Sequence, residues 1–98
     1  MALDHLDRGF LEKEIDNQIV TMPVTMRLAR TGEFTVMANI QNHGDFCLGY
    51  AIATIMRATL DHYFNRHRIS MPREEQQELA TVINNRTKEI REAIFKCG

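Results

Sequence analysis

Apolar side chains along this chain recur first at helical spacing, then in alternation, then at helical spacing again. From residue 3 to 18, Leu3, Leu6, Phe10 and the Ile15 to Asn17 neighbourhood follow a period near 3.6, with Leu11 and Ile19 widening the stripe. The pattern predicts an amphipathic helix over 1–18. Gly9 costs it about 1 kcal/mol relative to alanine, and five acids against two bases give it a net charge of −3. It therefore also reads as an arm that orders against a partner.

From Val20 the period becomes two. Val20, Met22, Val24, Met26 and Leu28 alternate with Thr21, Pro23, Thr25, Arg27 and Ala29, and Phe34, Val36, Ala38 and Ile40 alternate with Thr35, Met37, Asn39 and Gln41. This predicts a β-hairpin over 20–41. A loop of Arg30, Thr31 and Gly32, with Gly32 in the left-handed conformation, pairs Leu28 with Phe34, Met26 with Val36, Val24 with Ala38 and Met22 with Ile40. Every apolar residue then shares one face, and Pro23 must sit at an edge because it cannot donate to a ladder. Two strands are marginal alone, so helices must cover them.

Asn42, His43 and Gly44 break the pattern, and Asp45 is placed to cap a central helix over 45–67. Its stripe of Leu48, Ile52, Ile55, Met56, Thr59 and Tyr63 is widened by Cys47, Ala51, Ala53, Leu60 and Phe64. Polar positions shrink to Thr54, Arg57, Asp61 and Asn65, which predicts a helix buried on nearly all sides. Ser70-Met71-Pro72 opens the last helix, 71–97, with proline in the first turn and Glu74 and Glu75 favouring its N-terminal dipole. Leu79, Val82, Ile83, Ile90, Ala93, Ile94 and Cys97 form its stripe, interrupted by Arg86. The expected fold is α+β in the order α-β-β-α-α: one domain over 1–98, an antiparallel hairpin packed on the central and C-terminal helices.

Composition narrows the function classes. A net charge of −1, from 12 Lys and Arg against 13 Asp and Glu, supplies no global field toward polyanions or anionic membranes. Cys47 and Cys97 stand too far apart for a disulfide framework or a four-ligand zinc pattern. The first ten residues, MALDHLDRGF, have no signal-peptide character, and the apolar run from Phe46 to Met56 falls short of a membrane span. The reading is a cytoplasmic protein with no membrane contact and no cofactor.

The densest chemistry lies in TLDHYFNRHRISMPREE, residues 59–75, with three arginines, two histidines and two aromatic rings. Arg66, His67 and Arg68 fall where the central helix must end before Pro72, and cations there complement the helix dipole. The alternative is a nucleic-acid contact through segment 57–73, where Tyr63 and Phe64 could stack on bases. His62 and His67, five apart, do not share a helix face, and no metal is expected. His43 beside Cys47 is a remote candidate for an enzyme's base and nucleophile, lacking an oxyanion or orienting group.

Without a catalytic constellation, the chain is expected to be a non-enzymatic protein–protein interaction module, an adaptor, regulator or inhibitor that binds a larger protein or complex. Self-pairing through the hairpin edges to a homodimer is a further expectation. The candidate partner contacts are Arg27, Arg30, Met37, Arg66, His67 and Arg68.

Overall fold

The computed structural model describes residues 2–98, and they form five helices and no strand. They are α1 (His5–Val20), α2 (Met22–Ala29), α3 (Gly32–Met37), α4 (His43–His67) and α5 (Arg73–Lys96). The expected α+β class and its β-hairpin are therefore corrected: the chain is all-helical over these residues.

Two short helices replace the two strands for a reason visible in the same residues. An even-numbered apolar row contains i, i+4 pairs as well as alternation, so Met22 and Met26, joined by Ala29, form one buried helical stripe. Val20, Val24 and Leu28 fall on the other side and are exposed. Pro23 lies in the first turn of α2, where its missing N–H leaves no bond unmade. Gly32 starts α3 rather than making a bulge. The left-handed residue is Asn39, with φ at 52°, just past Ala38, which caps the end of α3. The hydroxyl of Thr35 donates to the Ala29 carbonyl at 2.8 Å, tying α3 back to α2. Without strands there are no hairpin edges, and the expected homodimer through them falls with the hairpin.

α1, α4 and α5 pack on one another, and α2 closes the open side against α4 and α5. Leu11 and Ile15 from α1, Ile55 and Ala51 from α4, Leu79 and Ile90 from α5 and Met22 from α2 are all but fully buried. Ala51, a side chain of one carbon, lets neighbouring backbones approach α4. Arg86, which interrupts the apolar stripe of α5, bonds Asp16 at 2.7 Å and Glu12 at 3.3 Å on α1, and Glu89 at 2.8 Å on α5. Glu78 accepts from the backbone N–H groups of Ala2 and Leu3, at 2.7 and 3.2 Å. These bonds fix how α1 lies along α5.

α4 begins two residues earlier than expected. Asn42 is the cap, its side chain accepting from the Asp45 N–H at 2.9 Å, and His43 is helical. The helix ends at Arg68, a non-glycine residue at φ 60° whose N–H donates to the Phe64 carbonyl. Glycine occupies that left-handed region without strain from a Cβ. Arg68→Gly is accordingly expected to raise the melting temperature by a few degrees, measured by circular dichroism.

The expectation that α4 is buried on nearly all sides is also corrected. Cys47, Ala51, Ile55, Thr59 and Tyr63 face the core, but Tyr50, Met56 and Phe64 are exposed. Four other helices, two of them short, cannot enclose a 25-residue helix. The surface of 6438 Å² exceeds the ~5,800 Å² usual for a folded monomer of this mass. The radius of gyration, 14.6 Å, likewise exceeds the roughly 13 Å of a compact chain of this length. No helix of the described residues is long and apolar enough to cross a membrane.

Candidate interaction surface

Two regions stand out: a charged cluster where the basic end of α4 meets the start of α1, and an apolar face along the outside of α4. The cluster is centred on Asp7, a carboxylate that is 1% exposed. Asp4 is the cap of α1, accepting from the N–H groups of Leu6 and Asp7 at 3.1 and 2.9 Å, and this places Asp7 one turn into the helix, facing α4. Three α4 side chains converge on Asp7. Arg66 lies 2.8 Å away, His67 donates from Nε2 to Oδ2 at 2.8 Å, and His62 Nδ1 lies 3.5 Å from Oδ1. Phe10 stacks on the His62 ring at a centroid distance of 3.9 Å, and Tyr63 packs against His67 at 4.1 Å.

His62 and His67 thus reach one carboxylate from two sides of α4, an arrangement that depends on the docking of α1. Asp4, Asp7 and His67 bring ligand atoms within 4.8 Å of one another. Arg66 supplies one positive charge against the two carboxylates, bonding Asp4 at 3.1 Å and Asp7 at 2.8 Å, so a protein cation already occupies the space between them. The arrangement clamps two helices together through charge-assisted bonds.

The Asp7 backbone N–H and the Arg66 guanidinium hold the Asp4 carboxyl down to about 2 from an ordinary 3.8. A depressed carboxyl stabilises the fold above its unfolded value and loses that contribution as pH falls through its folded value. The melting temperature is therefore expected to decline between about pH 4 and pH 2. Asp4→Asn, which keeps the cap, is expected to flatten that decline; a calorimetric pH series checks both.

Of the residues expected to contact a partner, Arg66 and His67 are committed to this clamp. Arg30 donates to the carbonyl oxygens of Cys97 and Gly98, at 3.4 and 2.7 Å, fastening α2 to the end of α5. Arg27 is exposed on α2, Met37 is exposed at the end of α3, and Arg68 caps α4 in solvent. Arg68 adjoins the clamp, whereas α2 and α3 meet α4 near its start, at Cys47 and His43, so Arg27 and Met37 do not share a patch with it. His43 Nε2 lies 3.4 Å from the Thr35 hydroxyl, while the Cys47 thiol points to the Met26 sulfur at 4.0 Å. Burial pushes the Cys47 thiol up, which disfavours the thiolate a nucleophile needs.

The second region was not among the expected contacts. Phe46, Tyr50, Ala53, Arg57, Leu60 and Phe64 recur at steps of four, three, four, three and four along α4. On a helix these positions form one straight seam, and they lie opposite the buried stripe of Cys47, Ala51, Ile55 and Thr59. Tyr50, Ala53, Arg57 and Phe64 are exposed and Phe46 and Leu60 half-buried. Gly49 flanks the seam, with open space where a Cβ would stand. An open groove of about 460 Å³ follows this face, lined by Tyr50, Ala53, Thr54, Arg57, Ala58 and Asp61. Arg57 is its one cation, with its own Asp61 at 3.8 Å. The 4-3 spacing was legible in the sequence, but the breadth of apolar residues around α4 hid which of them would lack cover.

Against protein-family models, curated proteins and solved structures alike, the chain has no match.

Proposed function

We propose that this chain is a non-enzymatic protein–protein interaction module whose contact surface is the outer seam of α4. One observation carries the reading: a helix in the middle of the fold presents outward a row of coiled-coil spacing over about 27 Å, from Phe46 to Phe64, apolar except for Arg57 and half-buried only at Phe46 and Leu60. An apolar face of that extent is the kind of feature that marks a contact site, and the helix under it is held firmly by the Asp7 clamp and the core. The alternative of a nucleic-acid contact through 57–73 has less support, because Arg66 and His67 are turned onto Asp4 and Asp7. Cys47 and His43 offer no assembled nucleophile.

A photo-crosslinking residue at position 53 tests the reading in cells that express the chain. A discrete protein adduct is expected from position 53, lost when Tyr50→Glu is added and absent from a control position on the exposed face of α5, such as Glu92. Equal adducts from both positions, or none from position 53, would overturn the proposal.

A further inference from the structure

We infer that the occupant of the α4 seam is a second copy of this chain, docked antiparallel through the same face; the inference rests on the interaction-module reading above. The reason lies in the spacing. Steps of four, three, four, three and four read the same in both directions, so the seam is its own complement under a two-fold axis. Superposing it on its reversed copy sets Phe46 against Phe64, Tyr50 against Leu60 and Ala53 against Arg57, and then each pair again with the chains exchanged. Every aromatic or branched side chain meets an apolar one.

The single charge selects the direction. In a parallel, in-register pair the two Arg57 guanidinium groups face each other within an apolar seam. In the antiparallel pair each Arg57 lies over the small Ala53 of the other copy, its stem packed and its head at the margin. There it meets the face of Tyr50 from that copy and keeps its own Asp61. Met56 meets Met56 on one flank of the axis and Thr54 meets Thr54 on the other. The helix dipoles run in opposite directions. Asp45 and Arg68, neither ion-paired among the described residues, are brought to the same end of the seam from opposite copies.

Size agrees. The chain exposes roughly 600 Å² more than a compact monomer of its mass would, near the amount each partner covers in a small specific interface. An area of this size belongs with weak, transient associations rather than with obligate pairs. The other apolar face, formed by Val20 of α1 with Val24 and Leu28 of α2, is shorter, three residues against six, and carries no aromatic side chain.

Light scattering on the purified chain over a dilution series tests this, together with Ala53→Glu and a pair of cysteine variants made in a Cys97→Ser background. The mass is expected to rise from one chain to two with concentration. Ala53→Glu, at an exposed helical site, is expected to weaken association at least ten-fold while leaving the melting curve unchanged. Mixing Tyr50→Cys chains with Leu60→Cys chains is expected to give an oxidised heterodimer in excess over either variant alone. A chain that stays single at millimolar concentration, a dimer indifferent to Ala53→Glu, or cysteine variants that join like to like would overturn the inference. If the chain stays single while position 53 still crosslinks to a different protein, the self-pairing fails and the interaction-module reading stands.

Discussion

Asp7→Ala is expected to destabilise the chain by about 2–3 kcal/mol, lowering the melting temperature by roughly 10–20 °C. The carboxylate is buried while its partners are not: the side chains of Arg66 and His67 remain about 30% exposed. Removing Asp7 leaves Arg66 with Asp4 alone and takes the close acceptor from the His67 ring, and both side chains can turn partly toward water. The loss is therefore placed below the 3–5 kcal/mol of a fully buried pair. Asp7→Asn keeps the shape and can still accept the bond from His67, so it is expected to fall between the wild type and alanine. Thermal unfolding of the three proteins checks the order. An alanine variant as stable as the wild type would mean that the core alone docks α1.

Ile55→Ala is expected to cost more, about 3 kcal/mol or above within the 2–5 kcal/mol range of such truncations. Ile55 is fully buried at the midpoint of α4, among residues of the central cluster, so the deleted carbons leave a void that helices fixed at several points cannot collapse to fill. Ile55→Val should cost about 0.5–1.5 kcal/mol. Val36→Ala supplies the contrast, because Val36 is 81% exposed and should change stability little. Denaturant titration of the three variants measures the differences, and a large loss for Val36→Ala would contradict the assigned core.

Where a long stripe runs at helical spacing with punctuation at its ends, the sequence and the structure describe the same helix. Pro72 with the following acids opens α5, and Asn42 opens α4, with His43 and Gly44 helical rather than part of a break. The segment from Val20 to Ile40 is helical where a hairpin is expected, because alternation and i, i+4 spacing are both satisfied by an apolar residue at every second position. What decides between them is which residues find cover. Met22 and Met26 pack against α4 and α5 while Val24 stays in solvent, and no local pattern contains that choice. Asp7 was invisible for a related reason. It is one acid among five in an acidic helix, and its partners lie some sixty residues away along the chain.

The basic stretch is legible as a helix end but not as half of an ion-pair clamp, because the carboxylates that Arg66 and His67 engage lie some sixty residues away along the chain. The outer seam was concealed by the opposite effect. An apolar helix surface implies burial, and no local pattern shows how little of the chain is left to provide it.

The most direct test of the central claim is a dilution series of amide correlation spectra, with each shift assigned to its residue. If α4 pairs with itself through the outer seam, shifts should move with concentration at Phe46, Tyr50, Ala53, Arg57, Leu60 and Phe64, with one common dissociation constant, while Asp7 and its partners stay fixed. Shifts that move only around Val24, Leu28 or Phe95, or that do not move at all up to millimolar concentration, would contradict it.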